Sequence, residues 1–120
     1  MKPIEVLNKL FEARDAIHFA HLVTTSYAEH QALGEFYSKW LDLADDFLET
    51  YQGKYGRING VLLIQSVSGL DAEKYLKDLR TFVNVEAYTI LQKEIDIDLD
   101  NILAEMQGLI NHTLYKLTLK

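Results

Sequence analysis

The sequence predicts an all-α protein, a bundle of four helices forming one domain over residues 1–120. Three observations carry this. Apolar residues recur at three- and four-residue steps along most of the chain, no region is strand-rich, and no low-complexity linker or internal repeat divides it.

The first helix follows from its start signal. Pro3 suits a first helical turn and Glu5 the positive end of the helix, and Val6, Leu7, Leu10, Ala13, Arg14, Ile17, His18 and His21 then keep helical spacing. A helix over about residues 3–24 is expected. Val23-Thr24-Thr25 weakens it, and Ser26 followed by Glu29 has the spacing of a capping box that starts a second helix. The connection is therefore a tight hairpin, with the first two helices antiparallel.

The second helix is expected from Tyr27 to Tyr51, turning Leu33, Phe36, Tyr37, Trp40, Leu41, Ala44, Phe47 and Leu48 inward and stopping near Gly53. Gly53, Gly56, Gly60 and Gly69 then punctuate a structured connection containing the apolar run Val61-Leu62-Leu63-Ile64, suited to a bundle edge or a subunit interface. At about 3.3 Å per residue this stretch can return along a whole helix, so a crossover is possible. A single crossover is what separates ferritin-like bundles from up-and-down ones.

Asp71 opens the third helix, through Tyr75, Leu79, Phe82, Val83, Glu86, Ala87, Ile90 and Leu91, with Val83 and Val85 lowering its propensity. The acidic run Glu94 to Asp100 precedes the fourth, which carries Ile102, Leu103, Met106, Leu109, Ile110, Thr113, Leu114 and Leu117. Alternation from Ile95 to Leu99 leaves a short extended piece as the other reading.

Composition narrows the function. A chain of 120 residues, 48% hydrophobic and 25% charged, has enough apolar surface for an ordinary core. There is no cysteine, which excludes disulfides, thiolate catalysis and Cys-based metal sites, so any metal is left to His and carboxylates. No signal peptide or membrane-length apolar run is seen, and a cytoplasmic setting is expected. A net charge of −6 argues against nucleic-acid binding and suits cations. The local basic group Lys54, Arg57, Lys74, Lys77 and Arg80 is set against that total. Neither a nucleophile triad nor a phosphate loop is present, since Gly53-Lys54-Tyr55-Gly56 lacks the P-loop spacing.

The chemistry-bearing residues are His18, His21, His30, Asp42, Asp45, Asp46 and Glu49. Across the hairpin, His21 and His30 should meet at one end of the bundle, while Asp45 and Glu49, four apart, share a helix face. His30 and Asp45 are separated by about 22 Å of helix, so one chain cannot bring both pairs onto one metal. A second copy related by a two-fold axis can, one chain giving His and the other carboxylates. Structural readings compete: histidines bonded to backbone at a helix end, carboxylates on a solvated face, and packing roles for His18 and His112. Trp40 and the tyrosines suit packing better than base stacking.

His30 followed by Asp45 and Glu49, with His21 upstream, resembles the mini-ferritins, the Dps or DNA-protecting proteins of starved cells. In size the chain is similar to small phage-encoded proteins with a Dps-like first half. The resemblance, over residues 15 to 53, implies a ferritin-like bundle that binds iron between two-fold-related subunits and oxidises it in a ferroxidase-like reaction. It implies metal ligation by His21 and His30 of one chain and Asp45 and Glu49 of the other. Gly34 stands where the family carries an acidic ligand, the histidines are nine residues apart, a tighter loop than the family's, and the Lys-rich tail of the family is absent, so DNA binding is not carried over. These departures motivate a competing reading, a metal-free ferritin-like scaffold for self-association or for a partner protein, viral in setting.

Overall fold

The computed structural model describes residues 1–63 and 70–119. Its described part is helical, with α1 (Pro3–Val23), α2 (Tyr27–Tyr55), α3 (Ala72–Thr81) and α4 (Ile97–Leu117) packed as a bundle measuring 43 × 27 × 20 Å. Ile64 and Gly69 of the connection lie outside the described residues.

Local chemistry sets the helix starts. Pro3 occupies the first turn of α1, and Glu5 reaches back to the Lys2 amide at 3.3 Å. Ser26 Oγ accepts the Glu29 amide at 3.2 Å to start α2, and Asp71 Oδ1 accepts the Lys74 amide at 3.2 Å to start α3. These satisfy donors that the first turn of a helix leaves unpaired.

Side-chain links fix how the helices run. Trp40, fully buried, donates its indole N–H to the Leu10 carbonyl at 3.0 Å, tying α2 to α1. Lys54 meets Asp98 at 2.8 Å at one end of the α2–α4 pair, and Lys116 meets Glu35 at the other. Arg80 donates to Asn111 at 3.0 Å between α3 and α4, and Tyr75 donates to Glu12 at 2.8 Å between α3 and α1. Thus α1 and α4 run one way and α2 and α3 the other.

Because α2 and α3 run the same way, the chain between them must travel back along the bundle. It starts along α1. The Asn8 amide donates to the Val61 carbonyl at 3.3 Å and accepts the Leu63 amide at 3.1 Å. Gly60, at φ 144°, comes so close that a Cβ there would sit 2.6 Å from Ile4 Cγ1. Val61, Leu62 and Leu63 are themselves largely exposed.

One apolar core runs through the bundle, with Leu10, Ile17, Phe36, Trp40, Leu76, Leu103 and Met106 fully buried. Tyr37 and Leu41, expected inside, are half-buried.

Two sequence expectations and one alternative reading need correction. First, α2 does not stop near Gly53 but continues to Tyr55, ending at Gly56 with φ 89°. Lys54 and Tyr55 hold that extra turn by binding Asp96, at 2.9 Å from Lys54 Nζ and 2.6 Å from the Tyr55 hydroxyl. Second, the third helix does not stay regular: it widens into a π-helical turn over Phe82–Glu86 and tightens into a 3-10 turn over Ala87–Ile90. The β-branched Val83 and Val85 weaken the α form there. Third, Ile95 to Leu99 is not extended. Asp96 begins α4, its carbonyl accepting the Asp100 amide at 2.8 Å. Among the described residues no helix is long and apolar enough to cross a membrane.

Candidate functional site

The hairpin between α1 and α2 brings His21 and His30 together. Their rings stack with centroids 3.9 Å apart and planes 14° from parallel. Each ring is tied to the other residue's backbone: His21 Nδ1 to the His30 carbonyl at 2.6 Å, and His30 Nδ1 to the His21 carbonyl at 2.8 Å. A carbonyl only accepts, so both rings carry their proton on Nδ1 in the neutral form. The lone pair of each then lies on Nε2, the nitrogen left for a metal or another donor. Anchoring one imidazole nitrogen to a backbone carbonyl is how proteins orient metal-binding histidines.

Both rings line a surface depression of about 310 Å³ together with Gln31, Gly34, Glu35, Ser38 and Lys39. The stack sets a condition on what they can hold. Lone pairs in nearly parallel planes diverge from a common point, so an ion that takes both nitrogens requires the rings to tilt out of the stack. On the inner side, His18 lies 6.3 Å from His21 and stacks on Tyr37 at 4.0 Å, a packing contact at the core edge.

Asp45 and Glu49 are exposed on α2. At 100° per residue they continue the stripe of Gln31 and Ser38 that borders the depression, with Asp45 about 10 Å beyond Ser38 and about 22 Å from His30 along the axis. Asp42 and Asp46 lie beside them, also exposed. Among the described residues, no three His, Asp or Glu side chains form a metal-holding group within one chain. The four expected ligands therefore fall into two separate pairs on one side of the molecule. Two imidazole nitrogens and two carboxylates make a chemically suitable N/O set for a divalent transition metal if a second chain brings them together.

Several of the other charged candidates are already paired. Lys116 binds Glu35 and holds its carboxyl below the usual range, chiefly through their hydrogen bond. In the expected basic patch, Lys54 pairs with Asp96 and Asp98, Lys77 with Glu73 at 2.9 Å, and Arg80 with Asn111. His112 is exposed on α4.

Sequence reasoning noted Gly34 only as the place of a missing acidic ligand and passed over its steric role. A Cβ at this position would sit 2.8 Å from His21 Cε1 and 3.1 Å from Nδ1, so the His21 ring occupies the space of the absent side chain. Its one signal in the sequence is a glycine well inside a long helix, where glycine costs about 1 kcal/mol relative to alanine.

Comparison with known proteins adds a family. Residues 21–117 match the profile of a family described as a family of unknown function (DUF5856), which includes all four expected ligands. The chain belongs to this family. Over 56 residues the DUF5856 chain is 43% identical to the "Uncharacterized 14.6 kDa protein in mobD-ri intergenic region" of Enterobacteria phage T4, covering 47% of this chain and 44% of that protein. The match thus spans less than half the length of that relative. No solved structure matches the DUF5856 chain.

Proposed function

We propose that this protein is a Dps-like, ferritin-like homo-oligomer that binds iron, or another divalent metal, at a site shared between two-fold-related subunits. His21 and His30 of one chain and Asp45 and Glu49 of the other are its ligands. The observation that carries the reading is the histidine pair itself, with each Nδ1 fixed by a backbone carbonyl, bordering an open depression. Two further features support it. The chain makes one long crossover between parallel α2 and α3, the connection that ferritin-like bundles use. In addition, the carboxylate pair lies on the same exposed stripe of α2, where an antiparallel copy would present it to the histidines.

Ferrous iron titration in air, with oligomer size followed by light scattering, tests the proposal. Stoichiometric binding or oxidation in a multimer, lost in both His30→Ala and Glu49→Ala, is the expected result. A multimer that takes up no iron or other divalent metal would sink it. That outcome would favour the second reading, a metal-free scaffold, which has its own support: Phe19, Leu22, Val23 and Tyr27 are exposed by 58%, 63%, 58% and 76% around the same hairpin. The similarity to a phage protein supports a viral setting for either reading.

A further inference from the structure

We infer that Gly34 is the positioning residue of the histidine pair: it leaves the space that the His21 imidazole fills and closes position 34 to any carboxylate. The positioning stands on geometry alone. Its consequence for the metal rests on the function proposed above.

The His21 ring, half-buried at the rim of the depression, is tied where a side chain at position 34 would enter. It is held between the α2 backbone and the His30 ring, stacked at 3.9 Å, and its Nδ1 is fixed 2.6 Å from the His30 carbonyl. A Cβ at position 34 would meet three of its ring atoms, Cε1 at 2.8 Å, Nδ1 at 3.1 Å and Nε2 at 3.6 Å. The contact at Cε1 is shorter than carbon atoms tolerate, so a side chain there requires the ring to shift, which strains the stack and the paired hydrogen bonds. Two other helical glycines provide the contrast. At Gly53 and Gly108 an added Cβ meets nothing within 4 Å.

With position 34 closed, the ligand set is led by imidazole: two ring nitrogens with Asp45 and Glu49 of a second copy. Such a set favours cations that like nitrogen, cobalt and zinc among them, over oxygen-seeking manganese and magnesium. Placing a carboxylate at position 34 therefore damages the site instead of enriching it.

The test compares Gly34→Ala and Gly34→Asp with Gly53→Ala and Gly108→Ala, and adds the double variant His21→Ala/Gly34→Ala. The two control substitutions should each raise Tm by about 2–4 °C, while Gly34→Ala lowers it. Removing the His21 ring should relieve the clash, so the double variant loses less than the sum of its parts. Nitrogen NMR of the imidazoles should show both Nδ1 protons bonded in wild type and both lost in Gly34→Ala. Cobalt absorption should report binding to wild type that weakens at least about tenfold in Gly34→Asp. Additive losses, or a Gly34→Ala that gains stability like the controls, would overturn the positioning role. Cobalt bound more tightly by Gly34→Asp would overturn the ligand-set argument. Wild type that binds no cobalt while the stability and NMR results hold would remove the metal reading and leave the positioning intact.

Discussion

At the scale of the residue, Asp96 shows how one side chain can set the limits of stability. It is fully covered, yet lies shallow beneath Lys54 and Tyr55, which are themselves at the surface. Its carboxylate accepts the Tyr55 hydroxyl at 2.6 Å and the Gln92 amide at 2.7 Å, and pairs with Lys54 at 2.9 Å. Burial alone would push the carboxyl up, but the Gln92 amide, Tyr55 and Lys54 outweigh it and hold it below the ordinary Asp value. Lys54 likewise holds Asp98 low, first by their hydrogen bond. A lowered acid stabilises the fold above its unfolded pKa and gives that up as pH falls through the folded one, so melting temperature should drop below about pH 4. The alkaline side has the opposite sign. Lys54 is raised, first by Asp98, and Tyr55 first by Asp96, so their contribution is full below about pH 10 and lost above it. Asp96→Ala leaves the Gln92 amide, Tyr55 and Lys54 without their shared acceptor. It should cost about 1–3 kcal/mol at neutral pH and reduce the loss at both ends of the profile, measured by thermal melts from pH 3 to 11.

At the scale of the element, the described part of the α2–α3 connection is hydrogen-bonded to α1 through the side-chain amide of Asn8, which uses both its donor and its acceptor. Both bonds are exposed, so Asn8→Ala should cost less than about 1 kcal/mol in global stability. Local opening is another matter. Limited proteolysis between Ile58 and Leu63 should speed up several-fold in this variant, and an unchanged cleavage rate would show that the connection is held by other means. What the sequence could reveal about the elements follows the same division between local and distant. Ser26, Asp71 and Pro3 act within one turn, so the starts of α1, α2 and α3 were legible. The end of α2 was not, because Asp96, 41 residues further on, overrides the stop signal at Gly53. The π turn at Phe82–Glu86 was legible only as a weakness, in the β-branched Val83 and Val85, and periodicity did not give its form. In the candidate site the register of His30, Asp45 and Glu49 and the approach of His21 to His30 could be read from spacing and the hairpin. The ring stack and the role of Gly34 could not, since both depend on how closely two helices approach, a spacing that matters to within a fraction of an ångström.

At the scale of the whole molecule, the separation of the two ligand pairs turns metal binding into a statement about assembly. No single chain completes the proposed set, so metal should bind the paired form and stabilise it by linkage, about 2.7 kcal/mol when free metal stands at a hundred times its Kd. That predicts a melting temperature that rises with both metal and protein concentration, and loses its metal dependence in His30→Ala and in Glu49→Ala. A sharper consequence follows from symmetry. In a mixed dimer of these two variants, one shared site combines both lesions, while the other combines the intact His30 of one chain with the intact Glu49 of the other. Two variants that are each inactive should thus regain function when unfolded and refolded together. With random pairing, half the dimers are mixed and each has one good site, so binding should return to about a quarter of the wild-type level. Recovery near that fraction requires ligands from two chains. If the mixture stays as inactive as its components while it forms mixed dimers, the histidines and carboxylates do not share a metal, and the exposed stripe of α2 serves some purpose other than completing a site.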